Sequence, residues 1–392
     1  MKILIYLGLL MLSTPAFSQL SLAEIFSDNM MLQRNEAIKV WGIAAANAEV
    51  EVSFMGKVYQ TRANESGAWE TILAPQKAQS VPQKLSVRTL GHEIELNNLL
   101  IGDVWLLIGQ SNMEWPMNGE MFFEEELKEA DNAELRFYNP VFVGKNIYGQ
   151  AYTPQQREKL EQGAFYKGSW EVSDTASFRR MSAVGYYFGK EINEKAGVPI
   201  GLVNLAIGGA PLETFISLEA LRSSDRFSSK AIGNWLYNEA LPVWIRERGR
   251  ENLGEERNSD HPLGPAHGFR PGYAFENGVA AISKIPIKGV LWYQGESNAG
   301  NPAEYKKLLL AMLQRREAWQ IVDVVNKITD PSAVADTAGY ATAHAAKVWG
   351  FPPELAILFG TFCSFLLGIV TGALAIRRQG IYFAMITLAL AQ

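Results

Sequence analysis

The chain of 392 residues has a single cysteine, Cys363, so an internal disulfide is excluded. It has only four histidines, His92, His261, His267 and His344, which leaves few candidates for a general base or a metal ligand. It has no excess of positive charge: 36 basic against 41 acidic residues give a net charge of -5. A general nucleic-acid binder needs a basic face, and that class is set aside. No G-x-S-x-G elbow, Walker phosphate loop, G-x-G-x-x-G dinucleotide loop or H-E-x-x-H zinc motif occurs. No cofactor and no metal are expected. What is present is an ordinary globular composition, 48% hydrophobic and 20% charged, which excludes a mostly disordered chain. The length suggests two or three domains.

The two ends differ from the middle. Met1 to Gln19 has the form of a secretory signal: Lys2, an apolar run Ile3–Leu12 too short to span a bilayer, and a small-residue exit at Ala16-Phe17-Ser18. Residues 1–18 are read as a signal peptide and the protein as exported, periplasmic or extracellular. At the other end, Leu355 to Ile376 carries no charged residue. At 1.5 Å per residue it would cover the ~30 Å hydrocarbon core of a membrane. Arg377 and Arg378 close it as a positive-inside flank. Residues 321–392 are therefore read as a membrane-helix-like tail, with membrane association through 355–376.

Between the ends two textures follow one another. Ala37–Trp41, Glu49–Phe54 and Lys84–Arg88 alternate apolar and polar residues, separated by turns such as Asn64–Gly67. Period two predicts short half-buried strands, and residues 19–100 read as a small β-sandwich. From Gly102 the strands become continuous apolar runs: Val104–Ile108, Val198–Leu205 and Ile287–Tyr293. Helical stretches, Val184–Lys195 and Ala303–Trp319, lie between or after them. This pattern predicts an α/β domain over 101–320, a parallel sheet with helices on both faces.

In such sheets ligands bind beyond the carboxyl ends of the strands. Gly109-Gln110-Ser111-Asn112-Met113 follows the first run, Ala206-Ile207-Gly208-Gly209-Ala210 the second, and Gln294-Gly295-Glu296-Ser297-Asn298-Ala299 the third. Each contains glycine, and the first and third add polar side chains. Ser111 is a candidate nucleophile in a strand-to-helix turn, and equally a candidate helix-capping serine.

Ser111 in its Gly-Gln-Ser-Asn-Met setting, Trp292 to Ala299, and Asp28-Asn29-Met30-Met31-Leu32-Gln33-Arg34 resemble the sialate O-acetylesterases over about 20–319. These are carbohydrate esterases of the SGNH-hydrolase type. The resemblance implies a flavodoxin-like parallel sheet and acyl transfer. Ser111 would attack the acetyl ester of an O-acetylated sugar. An oxyanion hole would come from the N–H of Ser111, a backbone N–H at Gly208 or Gly209, and the side chain of Gln294. Glu296 and Asn112 would support the loops. The family's triad ends in an Asp and a His about three residues apart, followed by proline. No such pattern follows Glu296, so impaired activity is expected. His261 and His267 are read as residues of a substrate loop or as a substitute base. The tail resembles a fragment of a branched-chain amino-acid transporter permease, which points to a chimera with a seam between Trp319 and Tyr340.

Two alternatives accompany this reading. Glu114 and Glu296 could form a glycosidase carboxylate pair. Trp115, Trp292 and Tyr293 could stack on sugar in a non-catalytic, membrane-tethered binding protein.

Overall fold

A computed structural model describes residues 20–254 and 259–314. The signal-like segment and the tail, with His344 and Cys363, lie outside the described residues. The strands in chain order are β1 (Ser21–Leu22), β2 (Met31–Gln33), β3 (Ile38–Ile43), β4 (Glu49–Phe54), β5 (Lys57–Arg62), β6 (Ala68–Leu73) and β7 (Gln79–Thr89). They continue with β8 (His92–Gly109), β9 (Asn132–Tyr138), β10 (Val141–Phe142), β11 (Tyr166–Lys167), β12 (Trp170–Ser173), β13 (Ile200–Asn204) and β14 (Gly289–Tyr293).

The backbone of the architecture is β8. Its 18 residues run through both textures seen in the sequence. Its first half pairs antiparallel with β7, which leads on to β4 and β5. Its second half pairs in parallel with β13 on one side and β14 on the other. The result is one mixed nine-stranded sheet, with β9 and β12 extending the β13 side. The predicted boundary at 100/101 lies inside this strand.

The first half is also covered by a three-stranded antiparallel sheet, β1-β3-β6. Val40 and Trp69 from that sheet share a core with Val52 and Val87 of the large one. This is what period-two patterning produces when one face of each sheet is dry. In the second half both faces are buried. Val104, Leu106 and Ile108 enter one core, and Leu107 enters the other, with Trp105 packed against it. The first core is closed by the helices Pro154–Glu161 and Val243–Leu253, and the second by the helix Ala183–Ala196. Helices on both faces explain why these strands read as unbroken apolar runs.

The Asp28–Arg34 segment locks β8 at its midpoint. β2 lies parallel to residues 100–102 of β8. Arg34 makes a two-pronged ion pair with the buried Asp103, Nε to Oδ1 at 2.8 Å and Nη2 to Oδ2 at 2.9 Å. Gln33 donates to Asp103 Oδ1 and accepts from the N–H of Val104 at 2.9 Å. Among the described residues no helix is long and apolar enough to cross a membrane.

Candidate active site

The three strand ends named from the sequence meet. β8 lies between β13 and β14, so the loop carrying Ser111 sits between the other two. Gly109 makes this closeness possible. Its φ is +154°, and a Cβ there would lie 2.0 Å from the carbonyl oxygen of Tyr293. No other residue fits such a contact. The N–H of Gln110 then donates to Tyr293 O at 3.0 Å, and that of Ile207 to Gly109 O at 3.0 Å. Gln110 Oε1 accepts from the N–H of Ser297 at 3.1 Å. Ser297 Oγ donates to Gly209 O at 3.0 Å. Each loop is thus tied to both others.

Ser111 opens the short helix Ser111–Glu114 and is exposed. Its Oγ has no hydrogen-bond partner among the described residues, and it caps nothing: the residue at the cap is Gln110. The backbone N–H groups of Gly208 and Gly209, on the neighbouring half-buried turn, likewise have no acceptor among the described residues. A hydroxyl without a partner and amide donors without acceptors, on loops tied to one another, are what an acyl-transfer site requires. Asn112 Nδ2 donates to Glu296 Oε1 at 2.6 Å, which ties the serine turn to the β14 loop.

Gln294 takes a different position from the one expected. It is buried, and its amide nitrogen donates to Asn298 Oδ1 at 2.8 Å and Ala210 O at 3.3 Å. Both N–H groups are engaged, so Gln294 in this arrangement is not a spare oxyanion donor. The reason lies further out. Asn298 gives its own amide N–H to Glu213 Oε2 at 2.9 Å, which leaves its oxygen facing Gln294. Glu213 is fully buried on Lys230, 2.9 Å away, and Lys230 also meets Glu304 at 2.7 Å. Burial by itself would lower the Lys230 pKa, but the two carboxylates hold it above the ordinary lysine value. Tyr305, from the helix Pro302–Gln314, donates to the Gln294 carbonyl at 2.6 Å. Asn298 was named only as part of the third segment, and Glu213, Lys230 and Tyr305 escaped the sequence reading, because nothing local marks residues that reach the site across loops far apart in the chain.

The histidines do not complete the site. His267 is buried, and its Nδ1 accepts the N–H of Phe269 at 3.0 Å. Its Nε2 lies 3.2 Å from Asn252 Oδ1 and 3.3 Å from the Tyr152 hydroxyl. Because Nδ1 is an acceptor, Nε2 carries the proton, and no lone pair is free to take one from serine. Burial, with Arg248 and Arg270 nearby, pushes its pKa down to about 3. The substitute-base reading of His267 is therefore corrected to a structural one. His261 Nδ1 accepts the N–H of Leu263 at 3.1 Å, in a hollow lined by Arg157, Glu161 and Asp260, away from the three loops. His92 is exposed at the start of β8. Among the described residues no histidine bonds to Ser111, and none of the His/Cys/Asp/Glu side chains cluster as a metal site.

The alternative carboxylate pair divides between two environments. Glu114 is buried, with Oε1 3.2 Å from Lys145 Nζ, under Gly208 and Tyr148. Glu296 is exposed on Asn112. Of the aromatic candidates, Trp115 is 51% exposed. Trp292 is half-buried and gives its indole N–H to Tyr305, and Tyr293 is paired within the sheet.

Comparison with known proteins agrees with this geometry. Residues 101–241 match the family model described as carbohydrate esterase, sialic acid-specific acetylesterase. The sialate O-acetylesterase of Rattus norvegicus is 27% identical over 298 residues, covering 70% of this chain and 52% of that protein. A crystal structure of a carbohydrate acetylesterase from Xanthomonas citri superposes with a TM-score of 0.56 at 27% identity, covering 76% of this chain and 57% of that one. The chain spans about half the length of the curated relatives it matches over most of its length. A separate likeness of 39 residues, 10% of the chain, is 90% identical to part of the Lon protease of Mycolicibacterium smegmatis. The α/β portion of the chain is thus similar to sialic acid-specific acetylesterases in its family-model match, its curated relatives and its solved neighbour.

Proposed function

We propose that the chain is a serine-dependent carbohydrate O-acetylesterase built on an SGNH-type arrangement, with its second strand and third strand (β13 and β14) flanking the first (β8). The single observation that carries this is the unbonded, exposed Ser111 hydroxyl at the tip of β8, on a loop tied to the Gly208–Gly209 turn with its free N–H groups. Ser111 Oγ would attack the acetyl carbonyl of an O-acetylated sugar such as an acetylated sialic acid. The developing oxyanion would take hydrogen bonds from that turn, each typically worth about 3 kcal/mol of barrier. The sugar oxygen leaves, and water releases acetate from Ser111. Because no described histidine reaches Ser111, its proton has no resident acceptor there and attack is slow. The test is acetate release from O-acetylated sialic acid and from an aryl acetate, before and after Ser111→Ala. Release lost with the hydroxyl supports the reading, and release that persists in the variant overturns it.

The signal-like Met1–Gln19 supports an exported protein. The Lon likeness, on a chain otherwise esterase-like, supports a composite polypeptide. An intact mass of a product spanning Trp319 to Tyr340 tests the second point: a mass matching the sequence, with or without residues 1–18, upholds a genuine fusion, and two separate products refute it.

A further inference from the structure

A groove of about 560 Å³ is lined by none of the residues of the Ser111 loops. Its floor is the three-stranded sheet, and its rim includes Trp41, Thr61, Arg62, Trp69, Glu70 and Lys284. Lys284 comes from the α/β portion, so the groove bridges the two halves. The volume is within the range of small-molecule sites, roughly 300–1,000 Å³.

Its making is visible in the backbone. A Cβ on Gly42 would lie 1.9 Å from the Ser21 carbonyl oxygen and 3.0 Å from Trp69 Cζ2. The glycine lets β1 close on β3 while the Trp69 ring passes beside it. Phe26 stands edge-on to Trp41 at 4.8 Å and 77°, which fixes the half-buried Trp41 ring at the groove. The charges are unequal. Arg62 is paired with Glu49 at 2.7 Å and Glu70 with Lys39 at 3.2 Å. Lys284 Nζ sits 5.5 Å from the Trp41 ring centroid and forms no ion pair among the described residues. An indole ring that carries over one face an ammonium group without a carboxylate partner among the described residues matches a ligand that has an apolar face and a single negative charge.

We propose that this groove is a second glycan-binding site that takes a carboxylate-bearing sugar, its ring against Trp41 and its carboxylate on Lys284. The choice of a sugar rests on the carbohydrate-esterase reading. A site of this kind would hold a glycan chain while the ester at the Ser111 crevice is cut.

The test is calorimetric titration of the full chain carrying Ser111→Ala with 3′-sialyllactose, so that no turnover is needed. Saturable binding is expected, weakening as salt rises and falling by about tenfold in Lys284→Glu, with the circular dichroism spectrum unchanged. Trp41→Ala should weaken it similarly. Lactose, which lacks the carboxylate, should bind at least about tenfold more weakly. Absence of saturable binding, or equal affinity in Lys284→Glu, overturns the site. Equal binding of lactose overturns the carboxylate assignment. A failed ester assay would leave these results standing, and a failed titration would leave the esterase reading standing.

Discussion

Two single positions show how much one side chain can control here. His267 is neutral in the fold, with a pKa of about 3 against an ordinary value near 6.5. Between those values the unfolded chain binds the extra proton and the folded chain does not. Stability is therefore full above pH 6.5 and falls as pH drops toward 3, by up to about 1.4 kcal/mol per pH unit. Thermal melts from pH 7 to pH 4 should show this acid loss, and His267→Gln should flatten it. Gly109 is the other case. Gly109→Ala places a methyl group within 2.0 Å of a backbone oxygen that cannot retreat without opening the β8–β14 ladder. A loss of about 3 kcal/mol or more in denaturant unfolding is expected. Such roles divide sharply in legibility. Gly109 and Ser111 were readable because glycine and serine at a strand end have local meaning. The engagement of Gln294 was not, because its orientation is set by Asn298 and Glu213, and Glu213 stands 85 positions before Asn298.

At the scale of elements the long strand β8 carries the most information. Its second half announced itself as Val104–Ile108, a run buried on both faces. Its first half, with Glu93 and Glu95 alternating with Ile94 and Leu96, reads as a different kind of strand. The Gly102-Asp103 pair between them has the composition of a joint, and only Arg34, 69 positions earlier, shows that the aspartate is inside. Removing one partner of such a pair leaves a charge without its match. Arg34→Met should cost about 3 kcal/mol in chemical denaturation. Limited proteolysis should find no early cleavage between residues 98 and 104, since a paired strand does not open locally. Early cutting there would show that the two halves unfold independently.

For the whole molecule the decisive matter is the proton on Ser111. If the described fold holds no base for it, a diffusible base should help. Added imidazole should raise the rate of aryl-acetate hydrolysis above the imidazole-only background, and Ser111→Ala should abolish that gain. A rate that imidazole leaves unchanged would mean that a base is already in place. β14 has a second whole-molecule consequence. It pairs with β8 alone among the described strands, and four of its five residues are only half-buried, unlike the fully buried β13. The sheet therefore presents an open side next to the three tied loops as well as at the β12 end.

Because side chains alternate along the second half of β8, its even positions from Val104 to Ile108 belong to one interior and Trp105 and Leu107 to the other. Loss of a single residue near Gly102 would turn Leu106 and Leu107 toward each other's neighbours, exchanging the tenants of both cores at once. Recombination between relatives can then exchange material through the surface turns at either end of this rod, but not through its middle.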